Sequence, residues 1–335
     1  MDMMQEVGAR DLVDPFGRVV RDLRISVTDR CNFRCTYCMP EEGMQWIPRS
    51  AILTFEEIER LARICVERFG FEGIRLTGGE PTVRHNVTTL VAKLAQLGVD
   101  LAMTTNGATL RHIAKDLREA GLNRLNVSLD SLDRAKFEQM TRRDELHNVL
   151  DGIVAAQEAG FDPVKINTVV ERGVNDDEIV ALAGFGREHG LEVRFIEFMP
   201  LDASDAWQRA TVVGQDEIVA AIAAEWPLEQ VPARGAAPAD RWRYLDGKGT
   251  VGVIPSVTKP FCGDCDRVRL TADGQFRTCL FATDEFDIRE LLRNDASDAD
   301  IEACIEAAVG TKWAGHQINQ VNFIRPVRSM SQIGG

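Results

Sequence analysis

The sequence predicts an α/β fold with a parallel sheet and helical crossovers, on two observations. Strand-like and helix-like segments alternate about six times between residues 22 and 200, as in a chain that returns to its sheet through a helix after each strand. Glycine and polar residues follow several strand-like runs, where sites of parallel sheets lie. Six units rather than eight indicate an incomplete (β/α)6 TIM-like barrel with an open side.

Hydrophobic patterns define the individual elements. The strand-like runs, which are apolar or alternate in polarity, cover residues 22–28, the beginning of 73–81, 101–105, 125–129, 164–170 and 193–199. The helix-like stretches, which have apolar residues at intervals of three and four, cover residues 54–65, 87–97, 110–120, 148–159 and 177–189. Thr54 and Glu57 form a capping box at the first helix, and Cys65 in that helix is expected to be a core thiol.

The residues that end these strands should lie together, because the carboxyl ends of parallel strands lie at the same edge of the sheet. Those residues are Cys31, Gly78, Gly79, Thr104, Ser128 and Met199. We therefore expect the functional site at this edge.

The pattern changes after Pro200. A helix is predicted at 217–225, an exposed loop at 232–239, and strands at 242–245 and 251–254. We therefore expect three parts: an N-terminal arm of residues 1–21, a partial barrel of residues 22–200, and a C-terminal region of residues 201–335.

Composition excludes several classes of protein. The 335 residues are 44% hydrophobic and 27% charged, as in an ordinary globular protein. No run of about 18 apolar residues and no signal-peptide pattern is present, so we expect no membrane span. We therefore expect the eight cysteines to be reduced, in a cytoplasmic protein. The net charge of −13 argues against nucleic-acid binding. An anionic substrate would therefore need a local basic pocket.

A first group of cysteines follows the first predicted strand. Cys31, Cys35 and Cys38 have the spacing C-x3-C-x2-C. Structural zinc sites usually pair their ligands as C-x2–4-C with a second pair further along, which is absent here. An iron–sulfur cubane with one iron left open fits three thiolates better. The alternative is a disulfide with a free thiol, which nothing else in the chain supports.

A second group comprises Cys262, Cys265 and Cys279. Its C-x2-C pair is also a zinc half-site, which His316 could complete, so zinc and a cluster both remain open. Arg267 and Arg269 alternate and would project from one face of an extended chain. They could clamp a phosphate or carboxylate, or simply belong to a solvated charged face.

The chain ends in Gly334 and Gly335. Terminal residues are often frayed. The functional alternative is a tail without side chains, thin enough to enter an active site.

Together these motifs resemble the GTP 3′,8-cyclase family of molybdenum-cofactor biosynthesis (the MoaA family), within the radical SAM superfamily. The resemblance runs from about residue 23 to the C-terminus. Besides the two cysteine groups and the Gly-Gly end, it is carried by residues 77–81, 104–107, 126–130, 195–200, 261–265 and 278–280. The residues before 16 match nothing in the family, and Asp266 stands where the family often has asparagine.

The resemblance implies two 4Fe–4S clusters and S-adenosyl-L-methionine (SAM) as cofactors. Cys31, Cys35 and Cys38 would hold the SAM-cleaving cluster, and Cys262, Cys265 and Cys279 the second cluster, on the substrate side. The implied SAM-site residues are Tyr37, Gly79, Ser128 and Met199, and glycine at 79 would let backbone approach the methionine moiety. The implied GTP-binding residues are Arg24, Arg75, Thr104, Lys165, Arg194, Arg267 and Arg269, although Lys165 falls near a strand's start. Arg267, Arg269, Gly334 and Gly335 would serve catalysis.

The implied reaction converts GTP to (8S)-3′,8-cyclo-7,8-dihydroguanosine 5′-triphosphate, an early step of molybdopterin biosynthesis. A 5′-deoxyadenosyl radical would abstract the ribose 3′ hydrogen, and the C3′ radical would attack guanine C8. One-electron reduction and protonation would then give the product. The implied partners are an external one-electron donor, a second copy in a homodimer, and cyclic pyranopterin monophosphate synthase, which receives the product. The alternatives are another two-cluster radical SAM enzyme, such as a peptide-modifying maturase, and a zinc-stabilised interaction protein.

Overall fold

The structure is a computed structural model that describes residues 9–42, 44–201, 207–232, 235–321 and 323–334. Within them one twelve-stranded sheet is formed. The strands are β1 (Asp22–Ser26), β2 (Gly73–Thr77), β3 (Asp100–Thr105), β4 (Arg124–Ser128), β5 (Lys165–Val170), β6 (Glu192–Glu197), β7 (Leu228–Val231), β8 (Asp240–Tyr244), β9 (Thr250–Ile254), β10 (Arg267–Leu270), β11 (Gln275–Arg277) and β12 (Phe286–Asp287). The helices are α1 (Phe55–Phe69), α2 (Val87–Ala95), α3 (Leu110–Glu119), α4 (Arg134–Thr141), α5 (Leu146–Glu158), α6 (Ile179–His189), α7 (Gln215–Glu225), α8 (Ile288–Arg293), α9 (Asp298–Val309) and α10 (Met330–Ile333).

The six N-terminal strands confirm the predicted parallel sheet. The strand order is β12-β11-β10-β1-β2-β3-β4-β5-β6-β9-β8-β7, and β1 to β6 run parallel in chain order. The C-terminal region adds two more parallel strands, since β10 pairs with β1 and β9 with β6. Antiparallel pairs β7–β8 and β11–β12 lie at the two ends of the order. The sheet therefore crosses the predicted boundary near residue 200.

Helix α1 shows how local signals fix the elements. Thr54 accepts a hydrogen bond from the Glu57 amide, and the Glu57 side chain accepts one from Thr54, which confirms the predicted capping box. The helix ends at Gly70 in the left-handed conformation (φ 63°). Cys65 is fully buried in the hydrophobic core, as predicted. No helix in the described parts of the chain is long and apolar enough to span a membrane.

Strand alternation separates the core from a polar inner face. In β1, Leu23 and Ile25 are fully buried in the core, so Arg24 projects from the opposite face. The register places Arg24 beside Arg75 of β2 and Arg269 of β10. The same face thus receives basic residues from several neighbouring strands.

Candidate active site

A cavity of about 780 Å³ lies on the polar inner face of the sheet. All three cysteines of the first group line it. The cysteines of the second group do not, but their neighbours Phe261, Asp266 and Leu280 do. The cavity therefore extends from one cysteine group towards the other.

The first cysteine group lies in the loop after β1, and its thiols are largely buried. Burial raises the pKa of Cys31 to about 11 and that of Cys38 to about 12, and it also raises the pKa of Cys35 well above its ordinary value. Cys31 Sγ accepts a hydrogen bond from the Phe33 amide at 3.3 Å. Three buried thiols need a strong positive partner to become thiolates together. This donor set fits an iron–sulfur cluster.

The predicted SAM residues Tyr37, Gly79, Ser128 and Met199 all line the same cavity. Tyr37 Oη donates to Asp130 Oδ2 at 2.6 Å, and Val169 N donates to the other oxygen at 2.9 Å. Burial raises the pKa of Asp130 to about 6. Asp130 thus orients Tyr37. It lies in the 126–130 motif, but sequence reasoning gave it no role.

Glycine at position 79 has a physical reason within the chain itself, besides the approach to SAM that the sequence predicts. A Cβ there would lie 2.3 Å from the carbonyl oxygen of Arg30, in the cysteine loop. At Gly78, where φ is +146°, a Cβ would lie 2.4 Å from the Thr28 carbonyl oxygen. The glycine pair is therefore required by close packing of β2's end against the cysteine loop.

Glu80 continues this packing with hydrogen bonds that sequence reasoning missed. The buried carboxylate accepts from Thr105 Oγ1 at 2.7 Å and from the Asn106 amide at 2.6 Å. The Asn106 side chain lies 3.8 Å from Cys31 Sγ. Glu80 thus connects the ends of β2 and β3 to the first cysteine group.

The predicted GTP residues form a basic wall of the cavity. Arg24, Arg75, Thr104, Lys165, Arg194, Arg267 and Arg269 all line it. Burial is the main cause that lowers the pKa of Arg75, and the positive charge of the neighbouring Arg24 is the second cause. Burial, followed by Arg194, lowers the pKa of Lys165 to about 8. Four cations thus repel one another in a partly desolvated space, which favours an anionic ligand.

This basic wall extends beyond the carboxyl edge of the sheet, where the sequence predicts the site, towards the first residues of the strands. Lys165 is the first residue of β5, as its sequence position suggested, yet its side chain lines the cavity. Arg124, the first residue of β4, also lines it and pairs with Asp100. Sequence reasoning missed Arg124, although its spacing of two and four from Asn126 and Ser128 places all three on one face.

Acidic side chains hold several of these cations in place. Glu192 Oε1 accepts from Arg194 Nε at 2.6 Å, and Arg241 Nη1 lies 3.7 Å from Glu192 Oε2. Asp22 Oδ1 lies 3.7 Å from Arg24 Nε. The charges of the wall are therefore partly compensated.

Two basic residues that the sequence did not reveal, Lys312 and Arg18, lie beside the second cysteine group. Lys312 is 4% exposed, and its Nζ donates to the carbonyls of Arg267 and Thr278 at 2.7 Å and lies 3.9 Å from Cys265 Sγ. Arg18 Nη1 donates to the Cys262 carbonyl at 2.6 Å. Although burial raises the pKa of Cys265, Arg267 and Lys312 lower it overall. Cys265 is thus suited to bind as a thiolate, whereas burial raises the pKa of Cys262.

His316, the fourth ligand that a zinc site at this group would need, has another contact in the structure. His316 Nε2 lies 2.7 Å from the Ser256 carbonyl oxygen, which engages the predicted fourth ligand. In the described parts of the chain no three His, Cys, Asp or Glu side chains are arranged to hold a single metal ion. In a cubane each thiolate binds a different iron, so the three sulfurs stand further apart than ligands of one ion.

The tail reaches the cavity. Gly334 is buried, and its carbonyl oxygen accepts a hydrogen bond from Arg269 Nη1. A Cβ at position 334, where φ is +87°, would lie 2.5 Å from Thr77 Oγ1. Gly335 lies outside the described residues. The predicted tail and one predicted GTP residue are thus in direct contact.

Two family models match the chain. Residues 25–186 match the Radical SAM superfamily, and residues 191–318 match Molybdenum Cofactor Synthesis C. The GTP 3′,8-cyclase of Mycolicibacterium smegmatis is 50% identical over 97% of this chain and 92% of that protein. The chain belongs to the GTP 3′,8-cyclase family. A second member, from Streptomyces coelicolor, is 49% identical over 98% of this chain and 97% of its own.

Solved structures extend the likeness of the fold to more distant proteins. The crystal structure of Streptococcus suis SuiB bound to S-adenosylmethionine matches with a TM-score of 0.59 at 13% identity. The match covers 84% of this chain and 67% of that chain. At this identity it shows a shared radical SAM α/β fold, as the family assignment also requires.

Proposed function

We propose that the protein is a GTP 3′,8-cyclase. It converts GTP to (8S)-3′,8-cyclo-7,8-dihydroguanosine 5′-triphosphate, an early step of molybdopterin cofactor biosynthesis. The observation that supports this best is the basic wall: side chains from β1, β2, β5, β6 and β10 converge on one cavity that begins at the first cysteine group. A triphosphate is the kind of ligand that such a wall would hold.

The radical SAM superfamily uses SAM and a 4Fe–4S cluster, and the first cysteine group fits that cluster. When bound, the cluster and SAM would supply a 5′-deoxyadenosyl radical able to abstract the ribose 3′ hydrogen. Cys31, Cys35 and Cys38 would hold the cluster, with Tyr37, Gly79, Ser128 and Met199 around SAM. Asp130 fixes the Tyr37 hydroxyl. The protein thereby positions cofactors that carry the hard chemistry.

Cys262, Cys265 and Cys279 would hold a second 4Fe–4S cluster on the substrate side. The lowered pKa of Cys265 and the ammonium of Lys312 support anionic ligands there. The adjacent Arg267 and Arg269 would bind GTP phosphates bidentately. The two groups would thus place the nucleotide between them.

The remaining GTP residues would orient the nucleotide and compensate its charge. Arg24, Arg75, Lys165 and Arg194 supply fixed cations, and Thr104 lies beside Arg75, whose Nη1 is 3.5 Å from Thr104 Oγ1. Because the cavity is partly desolvated, these interactions are stronger than at a surface. Gly334 and Gly335 would complete the site at the C3′–C8 bond-forming step.

Several wider features belong to the same proposal. We propose three parts: an N-terminal arm of residues 1–21, an incomplete barrel of residues 22–200, and a C-terminal region of residues 201–335. The enzyme would act in the cytoplasm as a homodimer with an external one-electron donor. The product would pass to cyclic pyranopterin monophosphate synthase.

Product analysis tests the proposal. Anaerobically reconstituted protein is incubated with SAM, GTP and a strong reductant, and the nucleotide product is identified by mass spectrometry and NMR. We expect the 3′,8-cyclised nucleotide, about eight irons per chain, and weaker GTP binding by Arg267→Ala. Unchanged GTP with intact clusters and no GTP binding would favour a peptide-modifying maturase. Zinc without iron would indicate an interaction protein.

A further inference from the structure

An ion-pair cluster just before the tail has no part in the proposed chemistry. Arg328 binds Asp273 through both terminal nitrogens, with Nη1–Oδ1 at 3.1 Å and Nη2–Oδ2 at 2.9 Å. It also binds Glu285, with Nε–Oε1 at 2.6 Å and Nη2–Oε2 at 3.0 Å. The side chains of Arg328, Asp273 and Glu285 are 20%, 15% and 24% exposed. One guanidinium thus bridges two carboxylates, a geometry that lysine cannot reproduce.

The two carboxylates are themselves held by the chain around β11. Asp273 lies in the turn between β10 and β11 and accepts from Thr271 Oγ1 at 2.6 Å. Glu285 pairs with the buried Arg277 of β11. Burial raises the pKa of Asp273, but the hydrogen bonds from Arg328 and Thr271 lower it overall. Arg328 therefore binds two carboxylates that Thr271 and Arg277 also hold.

Strands β10 and β11 pair antiparallel and form a hairpin with Asp273 in its turn. The other end of the tail meets this β10–β11 hairpin. Six residues after Arg328, the Gly334 carbonyl accepts from Arg269 of β10. Between these points α10 begins with a capping box of Ser329 and Gln332, and Ser331 Oγ donates to Met44 Sδ at 3.3 Å. The tail is thus fixed to the β10–β11 hairpin at its beginning and at its end.

We infer that Arg328 is a positioning residue that anchors the tail on the β10–β11 hairpin, so that Gly334 lies beside Arg269. The anchor and the substrate arginines share one hairpin, so the tail moves with the basic wall rather than independently of it. The inference rests on the proposed function for its effect on turnover, whereas the anchoring itself can be measured without substrate.

Hydrogen exchange of the tail measures the anchoring directly. The amides of Gln332, Ile333 and Gly334 donate to the carbonyls of Ser329, Ser329 and Met330, so a docked tail protects them. In Arg328→Gln we expect these amides to exchange about tenfold faster, because charge-assisted hydrogen bonds are lost. Arg328→Lys should give an intermediate rate, since lysine keeps the charge but not the fork. The cluster-loaded full chain is used throughout.

A matched control is available on α4. Arg134 binds Asp144 through Nε at 2.7 Å and through Nη2, but its side chain is 76% exposed and belongs to no part of the cavity. Arg134→Gln therefore removes a bidentate arginine–aspartate pair without touching the tail. We expect wild-type exchange at the three tail amides and wild-type turnover.

Turnover separates positioning from general stability. We expect Arg328→Gln to keep its iron content and its Kd for GTP while kcat falls about tenfold, the scale of one charge-assisted interaction. Unchanged exchange of the tail amides would overturn the inference, as would faster exchange with unchanged kcat. If the wild type does not cyclise GTP, the proposed function fails, and exchange alone decides the anchor.

Discussion

The sharpest prediction concerns Gly334→Ala. The Cβ of alanine would lie 2.5 Å from Thr77 Oγ1 and 3.0 Å from Ser26 Cβ, at a backbone φ of +87°. Thr77 and Ser26 are 2% and 1% exposed, so neither can move aside easily. A positive φ costs an L-residue about 1–2 kcal/mol, and the contact adds to this. We expect docking to weaken by about 2 kcal/mol, or about 30-fold in the docked-to-undocked ratio.

The assay compares kcat for SAM-dependent GTP conversion between Gly334→Ala and the wild type, both reconstituted with iron–sulfur clusters. We expect kcat to fall at least about tenfold in Gly334→Ala, with iron content unchanged. The matched control is Gly247→Ala: Gly247 has a φ of +79°, but a Cβ there would have no neighbour within 4 Å. It carries the same backbone cost in an exposed turn between β8 and β9, so wild-type kcat is expected.

A double-mutant cycle identifies the cause. Thr77 Oγ1 has no hydrogen-bond partner within the described ranges, so Thr77→Ala removes the nearest obstructing atom without breaking a bond. Gly334→Ala should therefore cost less in the Thr77→Ala background than in the wild type. Wild-type kcat in Gly334→Ala, or equal losses in both backgrounds, would refute the steric argument.

Two further predictions concern the cations around the cavity. Lys165 has a pKa of about 8 in the free protein. Because GTP binding favours the charged form of Lys165, the affinity for GTP should fall as the pH rises through 8. The expected loss of affinity between pH 7 and 8.5 is up to about fourfold. Calorimetry should show this loss in the wild type but not in Lys165→Arg, which stays charged; equal pH dependence would contradict the role of Lys165. Lys312→Met should lower the midpoint potential of the proposed second cluster in an EPR-monitored titration, because an ammonium 3.9 Å from Cys265 Sγ is lost. The same substitution should lower the free energy of unfolding by about 2 kcal/mol, because the carbonyls of Arg267 and Thr278 lose the hydrogen bonds from Lys312. Lys115→Met, which changes an 81% exposed side chain, is its control, and an unchanged potential would contradict the prediction.

The sequence predicted the parallel strands because each is short, apolar and followed by a helix with a clear period. The predicted strand at 101–105, for example, is β3 (Asp100–Thr105), and that at 125–129 is β4 (Arg124–Ser128). The short strands β7, β11 and β12 and the weakly amphipathic α4 lack such a pattern, and were missed. Pairing of β1 with β10 was also invisible, because it joins residues more than 240 positions apart and leaves no local signal.

The same limit applies within the site. The residues predicted at strand ends, among them Cys31, Gly79 and Ser128, line the cavity, and so do the GTP-binding residues that only the family resemblance implied. Motifs did not reveal Arg18, which donates to the Cys262 carbonyl across 244 positions, or Lys312, whose partners are mostly backbone carbonyls. A lone basic residue with backbone partners carries no spacing to recognise. Gly79 was predicted for the cavity, but its need for glycine comes from the Arg30 carbonyl.

The register explains why the tail can matter to chemistry at all. Arg24, Arg75 and Arg269 form one row across β1, β2 and β10, and Ser26 and Thr77 form the next row towards the cysteine loop. Rows two residues apart are separated by about 6.6 Å along the strands. Gly334 packs against the second row while its carbonyl binds Arg269 of the first. If the first row binds the triphosphate, the tail borders the level between the phosphates and the first cysteine group, beside the space where the ribose of a bound GTP would lie. A substitution at Gly334 should therefore act on kcat more than on GTP affinity.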